Sequence, residues 1–267
     1  IDICDKAALF QVLSRANVSE VIHLAGVSYV PDSVADPRLT YEVNFLGTLN
    51  LLQCLQELGF KGRFLFVSSG DAYGLVPNDH LPVHEEQPLM PRNPYAVSKA
   101  AGEALCYQWS QTCGFEVLVA RPFNHIGPGQ SERFAISNFA KQIVTMRYKD
   151  DERKISVGNI EVTRDFLNVQ DVICAYNLLF RKGVNANVYN ICSSEEYLLS
   201  DLVRRLIQIS GLEIAIELDP SRWRPAEQPR MIGSNAKLVN ATGWAPTVDM
   251  DKTLKQIYQY WEHCLEK

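Results

Sequence analysis

Phe64-Leu65-Phe66-Val67-Ser68-Ser69-Gly70 decides how the chain is read. Four consecutive apolar residues make a strand buried on both faces, and the small residues after it mark its end. Residues 70–94 are rich in Pro, Asn and Asp and read as a loop. Asn93-Pro94-Tyr95 then opens a helix, Pro94 being suited to the first helical position, and the pattern runs to about Cys113. Phe115 to Ala120 reads as another buried strand, ending at Arg121-Pro122. In the other direction, Asp5 caps a short helix extending to Arg15, and Glu20-Val21-Ile22-His23-Leu24-Ala25 is a buried strand. A long helix follows Pro37. Leu39, Val43, Leu46, Leu49, Leu52 and Leu55 recur along it at helical spacing, and Gly59 ends it. Strands alternating with helices predict an α/β fold with a doubly wound, mainly parallel sheet of the Rossmann type, covered on both faces.

After about residue 125 the character changes. Helices of mixed polarity at about 131–148, 169–181, 198–210 and 250–265 alternate with short strands. The expected division is a remainder of a dinucleotide-binding domain over 1–125 and a smaller α/β lobe, mainly for substrate, over 126–267. Some segments of the second part are expected to return to the main sheet. A dinucleotide fold opens with strand, glycine-rich turn and helix, because glycines let the backbone approach a pyrophosphate at a helix N-terminus. No G-x-G-x-x-G or G-x-x-G-x-x-G occurs in the sequence. The N-terminal glycine-rich unit is therefore expected to lie outside this chain.

Composition narrows the function classes. The 267 residues carry a net charge of −5, so no global basic field draws nucleic acid, and an anion site must be built from a few local arginines. The apolar runs are too short to span a bilayer, and Ile1-Asp2-Ile3-Cys4-Asp5 has neither the basic start nor the apolar core of a signal peptide. Seven cysteines, at 4, 54, 106, 113, 174, 192 and 264, form no C-x-x-C pair. They predict a reduced, cytoplasmic chain with no metal site.

The chemistry concentrates at Asn93-Pro94-Tyr95-Ala96-Val97-Ser98-Lys99. Tyr95 and Lys99 lie four apart on one helix face. Tyrosine titrates near ~10, and a neighbouring ammonium favours the phenolate, which makes proton exchange near neutrality feasible. A tyrosine and a lysine four apart can equally be an ordinary exposed helix face. The strand-end Ser69 upstream tips the reading, because its hydroxyl can donate to a substrate carbonyl as charge develops on the oxygen.

His23-Leu24-Ala25-Gly26, Ser68-Ser69-Gly70-Asp71-Ala72-Tyr73-Gly74, Tyr95-Ala96-Val97-Ser98-Lys99, and Asn44 followed by Gly47-Thr48 together resemble the extended short-chain dehydrogenase/reductases. Within them the likeness is to the branch of GDP-mannose 4,6-dehydratases and GDP-4-keto-6-deoxyhexose reductases, and it covers essentially the whole chain. It implies NADPH or NADH as cofactor and a GDP-sugar as substrate. By this likeness Asp2 and Ile3 match an acidic–aliphatic pair contacting the adenine, and Ala25 and Gly26 line the cofactor at a strand end. Tyr95 and Lys99 match the catalytic pair, Lys99 also holding the nicotinamide ribose and lowering the pKa of Tyr95. Ser69 matches the hydroxyl residue four before the tyrosine of the Tyr-Gly motif.

On the substrate side, Arg121-Pro122-Phe123-Asn124-His125-Ile126-Gly127-Pro128-Gly129-Gln130 reads as a shaped loop. The resemblance gives Asn124 a contact with the nucleotide sugar, beside Ser69 and Gly70. His125 stays open between a turn stabiliser and a site residue. A diphosphate calls for arginine forks, for which Arg164 and Arg224 are the candidates. Glu227 can accept from a ribose diol, against the plainer reading of Arg224–Glu227 as a surface ion pair. Lys141 is a further phosphate candidate, against the reading of a solvated helix lysine.

Dehydration across C5 and C6 needs a base and an acid. The family's dehydratases place Glu two residues before the tyrosine of Tyr-Gly, often with a polar neighbour, where this chain has Gly70-Asp71. A 4-keto reduction needs only the hydride donor, Tyr95, Lys99 and Ser69. The expectation is therefore a reductase, with GDP-D-rhamnose as the product the resemblance implies. The alternatives are a dehydratase or 4-epimerase of the same family, or a non-catalytic binding protein. The helices at about 37–58 and 94–113 are expected to form a homodimer bundle.

Overall fold

The computed structural model describes residues 1–148, 153–222 and 228–266. Its helices are α1 (Lys6–Leu13), α2 (Val30–Ala35), α3 (Pro37–Tyr41), α4 (Gly47–Glu57), α5 (Pro94–Thr112), α6 (Ala135–Tyr148), α7 (Val169–Lys182), α8 (Leu199–Ser210), α9 (Ala236–Thr242) and α10 (Met250–Leu265). The strands that place the site are β1 (Glu20–His23), β2 (Arg63–Val67), β3 (Glu116–Pro122) and β4 (Asn124–Ile126). Beyond them come β5 (Lys154–Val157), β6 (Thr163–Arg164), β7 (Phe166–Asn168), β8 (Val188–Ile191), β9 (Tyr197–Leu198), β10 (Ala215–Leu218) and β11 (Arg230–Met231).

The main sheet has the order β1-β2-β3-β8, every pair parallel. Successive side chains of a strand point to opposite faces, and β2 uses both. Phe64 and Phe66 pack with Val117 and Val119 against Leu52, Leu55, Cys106 and Trp109 of α4 and α5. Leu65 and Val67 pack with Leu118 and Ala120 against Val172, Ala175 and Leu179 of α7 and Leu238 of α9. This is the doubly wound arrangement the alternating pattern predicts. A separate core gathers Ile136, Ile143, Ile155, Val157, Leu202, Leu206 and Leu254, from α6, β5, α8 and α10. Small pairings serve this second core: β4 with β7, β5 with β10, and β11-β6-β9. β8 and α7 follow residue 126 in sequence yet belong to the main sheet and its covering layer.

Local signals account for most helix starts. Asp5 accepts from the Ala8 amide at 3.0 Å and opens α1, which ends at Leu13, before the expected Arg15. Asp36 caps α3 through Leu39, and Asn168 caps α7 through Gln170. Arg63 closes the other end of α7, donating to the carbonyls of Leu179, Phe180 and Gly183. The long helix expected from Pro37 is broken: a π-helical turn, Glu42–Leu46, separates α3 from α4. The turn is centred on Asn44, whose amide accepts from Val27 N at 2.7 Å and donates to Val27 O at 3.0 Å and Ser98 Oγ at 2.8 Å. Apolar periodicity cannot register such a turn, because the leucines on either side keep their helical spacing.

Candidate active site

In an open parallel sheet, ligands bind beyond the carboxyl ends of the strands. At that end β2 runs into Ser68 and Ser69, and Ser69 caps a 3₁₀ turn, Gly70–Tyr73, accepting from Asp71 N at 3.2 Å. Asn93 caps α5 by accepting from Ala96 N at 2.8 Å, and the Tyr95 amide donates to Ser33 Oγ of α2 at 3.2 Å. The helix start is thereby fixed against α2, and Tyr95 and Lys99 face the end of β2.

Lys99 is buried, and its Nζ donates to Val67 O at 2.7 Å. The ammonium lies 5.2 Å from the Phe66 ring centroid and 5.8 Å from that of Tyr95. Burial pushes Lys99 down to about 8, against the opposing effects of Cys106 and Glu103. Burial raises the Tyr95 phenol above its ordinary range, the Asp71 carboxylate adds to the rise, and the Ser69 hydroxyl, lying against it, works the other way. The expectation that Lys99 lowers Tyr95 is corrected here. The ammonium is turned onto the Val67 carbonyl, and the group that favours the phenolate is Ser69. Ser69, Tyr95 and Lys99 do converge, as the sequence predicts.

The expected cofactor residues frame the same end. Ala25 and Gly26 are exposed at the end of β1. A Cβ on Gly26 would stand 2.9 Å from Asn44 Oδ1 and 3.8 Å from Lys99 Nζ, so only glycine lets the backbone come this close. Lys99 can donate three hydrogen bonds, and the one to Val67 leaves capacity for a ribose diol. Ile3 packs on Gly47, and Asn50 donates to the Ile3 carbonyl at 3.2 Å. Asp2 accepts from Cys4 N at 2.8 Å. Of these, Gly26 and Lys99 lie together and fit the ribose end of a nicotinamide, while Asp2 and Ile3 are the pair expected at the adenine. His23, beneath them, contacts Thr48 Oγ1 through Nε2 at 2.8 Å. Thr48 donates its own proton to Asn44 O at 2.6 Å, so His23 is the donor to Thr48. Burial first, and the Lys99 charge second, hold His23 down to about 4.

Behind Ser69 lies a buried polar network that the sequence reading missed. Arg121 forks onto Glu103 with Nε–Oε1 at 2.8 Å and Nη2–Oε2 at 2.6 Å, both side chains being buried. Ser68 donates to the same Oε1 at 2.5 Å. Arg121 Nη1 donates to the Tyr73 hydroxyl at 2.8 Å and the Glu85 carbonyl at 3.1 Å, and Tyr73 donates to Asn190 Oδ1 at 2.7 Å. The signal was the spacing: 95, 99 and 103 share one helix face, and an acid at the third position is out of place among Ala100, Ala104 and Cys106.

On the substrate side, Asn124 is exposed at the start of β4 and donates to Asp165 O at 3.3 Å. Gly70 is buried against Phe123; a Cβ there would come within 3.2 Å of the ring. Arg164 Nη1 donates to Thr163 O at 2.8 Å. Lys141 is drawn to Glu132, just before α6, and to the Trp261 ring at 5.3 Å, so an ion pair holds the side chain expected to bind phosphate. Arg224 and Glu227 lie outside the described residues. His125 Nδ1 meets Phe123 O at 3.1 Å, and burial lowers its pKa, which accords with a neutral ring serving the local turn. A cation not foreseen is Arg133. It pairs with Asp32 of α2 and lies 4.0 Å over the Tyr29 ring, tying the segment before α6 to the helix that holds Tyr95. Among the described residues no three His, Cys, Asp or Glu side chains converge as metal ligands, and no helix is long and apolar enough to cross a membrane.

Fold and site together define a Rossmann-type protein with a Ser–Tyr–Lys centre at the carboxyl end of its sheet. The family model described as GDP-mannose 4,6 dehydratase matches residues 1–257, and the chain belongs to that family. It is 51% identical over 242 residues to the GDP-6-deoxy-D-mannose reductase of Pseudomonas aeruginosa, covering 91% of this chain and 80% of that protein. The structure of RMD from Pseudomonas aeruginosa complexed with NADPH superposes with a TM-score of 0.94 at 47% identity, over 98% of this chain and 87% of that one. The Thermus thermophilus UDP-glucose 4-epimerase in complex with NAD gives 0.87 at 27% identity, over 98% and 83%.

Proposed function

We propose that this chain reduces the 4-keto group of a GDP-4-keto-6-deoxyhexose with NADPH or NADH, giving GDP-D-rhamnose. The observation that carries the reading is the Ser69 hydroxyl lying against the Tyr95 hydroxyl, with the Lys99 ammonium beside the same ring. The reduced nicotinamide, when bound, supplies the hydride to C4 of the sugar. The rest falls to the chain's own residues. Tyr95, kept protonated by burial and by Asp71, gives its proton to the nascent O4 alkoxide. The resulting phenolate is held by the Ser69 hydroxyl. Ser69 also orients the carbonyl before transfer. Lys99, anchored on Val67 O, turns its remaining donors to the cofactor ribose, and Asn124, exposed at the start of β4, contacts the nucleotide sugar. A 4,6-dehydration is disfavoured because Asp71, where the dehydratases carry Glu, is one methylene shorter and Gly70 beside it has no side chain.

Full-length protein is to be assayed with GDP-4-keto-6-deoxymannose and NADPH. Tyr95→Phe should lower kcat by at least about 100-fold, the scale of a positioned general acid, while NADPH still binds. Turnover retained in that variant removes Tyr95 from the role of acid.

The reading includes a homodimer in the cytoplasm. Leu39, Tyr41, Leu46, Val97 and Tyr107, on α3, the π-helical turn and α5, are exposed, and a second copy covering them would bury that apolar surface. Sedimentation equilibrium should give twice the chain mass, and Tyr107→Glu should shift it towards the monomer. A monomeric wild-type protein excludes this dimer.

A further inference from the structure

We propose that Glu103 is a positioning residue for this reaction: clamped by Arg121, it ties the end of β2 to the helix that carries Tyr95 and Lys99. The inference rests on the reductase reading above and adds to it a residue outside the reacting set.

The geometry supplies the argument. The segment Val67-Ser68-Ser69 delivers the hydroxyl that faces Tyr95. Two side chains of α5 hold it at successive residues: Lys99 Nζ on Val67 O at 2.7 Å, and Glu103 Oε1 on Ser68 Oγ at 2.5 Å. Tyr95, Lys99 and Glu103 are spaced by four residues, so one helix face both presents the acid and grips the strand end that must meet it. Glu103 is itself immobilised by the two-pronged contact with Arg121 on β3, and Arg121 is braced by Tyr73, one turn beyond Ser69. Glu103 thus joins β2, β3 and α5 directly beneath the hydroxyl pair. A buried ion pair costs desolvation unless its hydrogen bonds are satisfied, and here both oxygens are used.

The carboxylate has a second effect that a neutral isostere lacks. The titratable groups facing Lys99 are Tyr95, Glu103 and Cys106 of α5, and His23 of β1, which is held neutral. Glu103 favours the ammonium, against the burial that opposes it. Removing its charge loosens the proton on Lys99 without touching substrate or cofactor.

The test uses the full-length protein with NADPH and the keto sugar. Ser68→Ala removes the tie and leaves the Glu103–Arg121 pair in place. It should lower kcat about tenfold, the scale of one hydrogen bond to a charged group, while KM for the sugar and NADPH affinity stay within about twofold. Glu103→Gln should lower kcat further and move the alkaline limb of the kcat–pH profile to lower pH, whereas Glu103→Asp should restore that limb. Wild-type kcat in a folded Ser68→Ala overturns the proposal. So does a Glu103→Gln enzyme that loses turnover and NADPH affinity equally with its alkaline limb unmoved. If Glu103→Gln does not fold, Ser68→Ala alone decides. The parent reading is judged separately: an active Tyr95→Phe sinks both, while an inactive Tyr95→Phe beside fully active Ser68→Ala sinks only the role of Glu103.

Discussion

Among individual residues, Lys99 makes the sharpest claim. Its folded-state pKa is held at about 8, below its ordinary value of 10.5, because burial penalises the ammonium. At pH 7 the side chain is still mostly charged and keeps donors free beside its bond to Val67 O. As pH rises through about 8 it becomes neutral, and with it goes the ammonium that the proposed mechanism sets on the cofactor ribose. The kcat for reduction should therefore fall across that range well before any free phenol ionises, and a pH profile measured under saturating NADPH checks it. A profile flat to pH 10 would show that the charge on Lys99 does not matter to turnover. Tyr95, Lys99 and Ser69 were legible because their spacing survives in the linear sequence. Ser68, Arg121 and Tyr73 were not, because a buried polar network is assembled across β2, β3, α5 and β8, and no local pattern encodes a contact of that kind.

Among the elements, α5 governs the site, and its seat on β2 depends on Gly102. A Cβ at that position would lie 2.4 Å from Phe66 Cζ, on the ring that also packs the Lys99 ammonium. Gly102→Ala gains helix propensity but overpacks the interface, for a net loss of about 1–2 kcal/mol. The expected signature is a moderate drop in Tm accompanied by a larger fractional loss of kcat, because the helix carrying Tyr95 is displaced from the strand end that leads to Ser69. Unchanged Tm and kcat would mean that Phe66 yields freely. Helix starts were largely readable: the Asp5 cap and the starts at Pro94 and Pro37 stand where the sequence puts them. The π-helical turn at Asn44 was not, since its cause is a side chain reaching to Val27 and Ser98 rather than anything in its own neighbourhood.

For the whole molecule, the parallel main sheet followed from apolar runs alternating with amphipathic stretches. The pairings β5–β10 and β11-β6-β9 did not, because strands of two to four residues carry too little pattern to fix a partner. Global stability should depend on pH through His23. Its pKa is about 4 in the folded chain, against 6.5 when unfolded, so its contribution is complete above pH 6.5 and is lost as pH falls towards 4. The full span amounts to about 3 kcal/mol. Denaturant unfolding at pH 7 and at pH 4.5 should show that loss, and His23→Gln should lessen it; equal losses in both proteins would assign the acid sensitivity elsewhere. The return of β8 and α7 to the main sheet carries a mechanical consequence. The backbone passes from one core to the other and back again, so the two halves are stitched rather than hinged. Swinging one half away from the other would have to bend several of these crossings together. A protease that severs a single crossing should leave both halves associated.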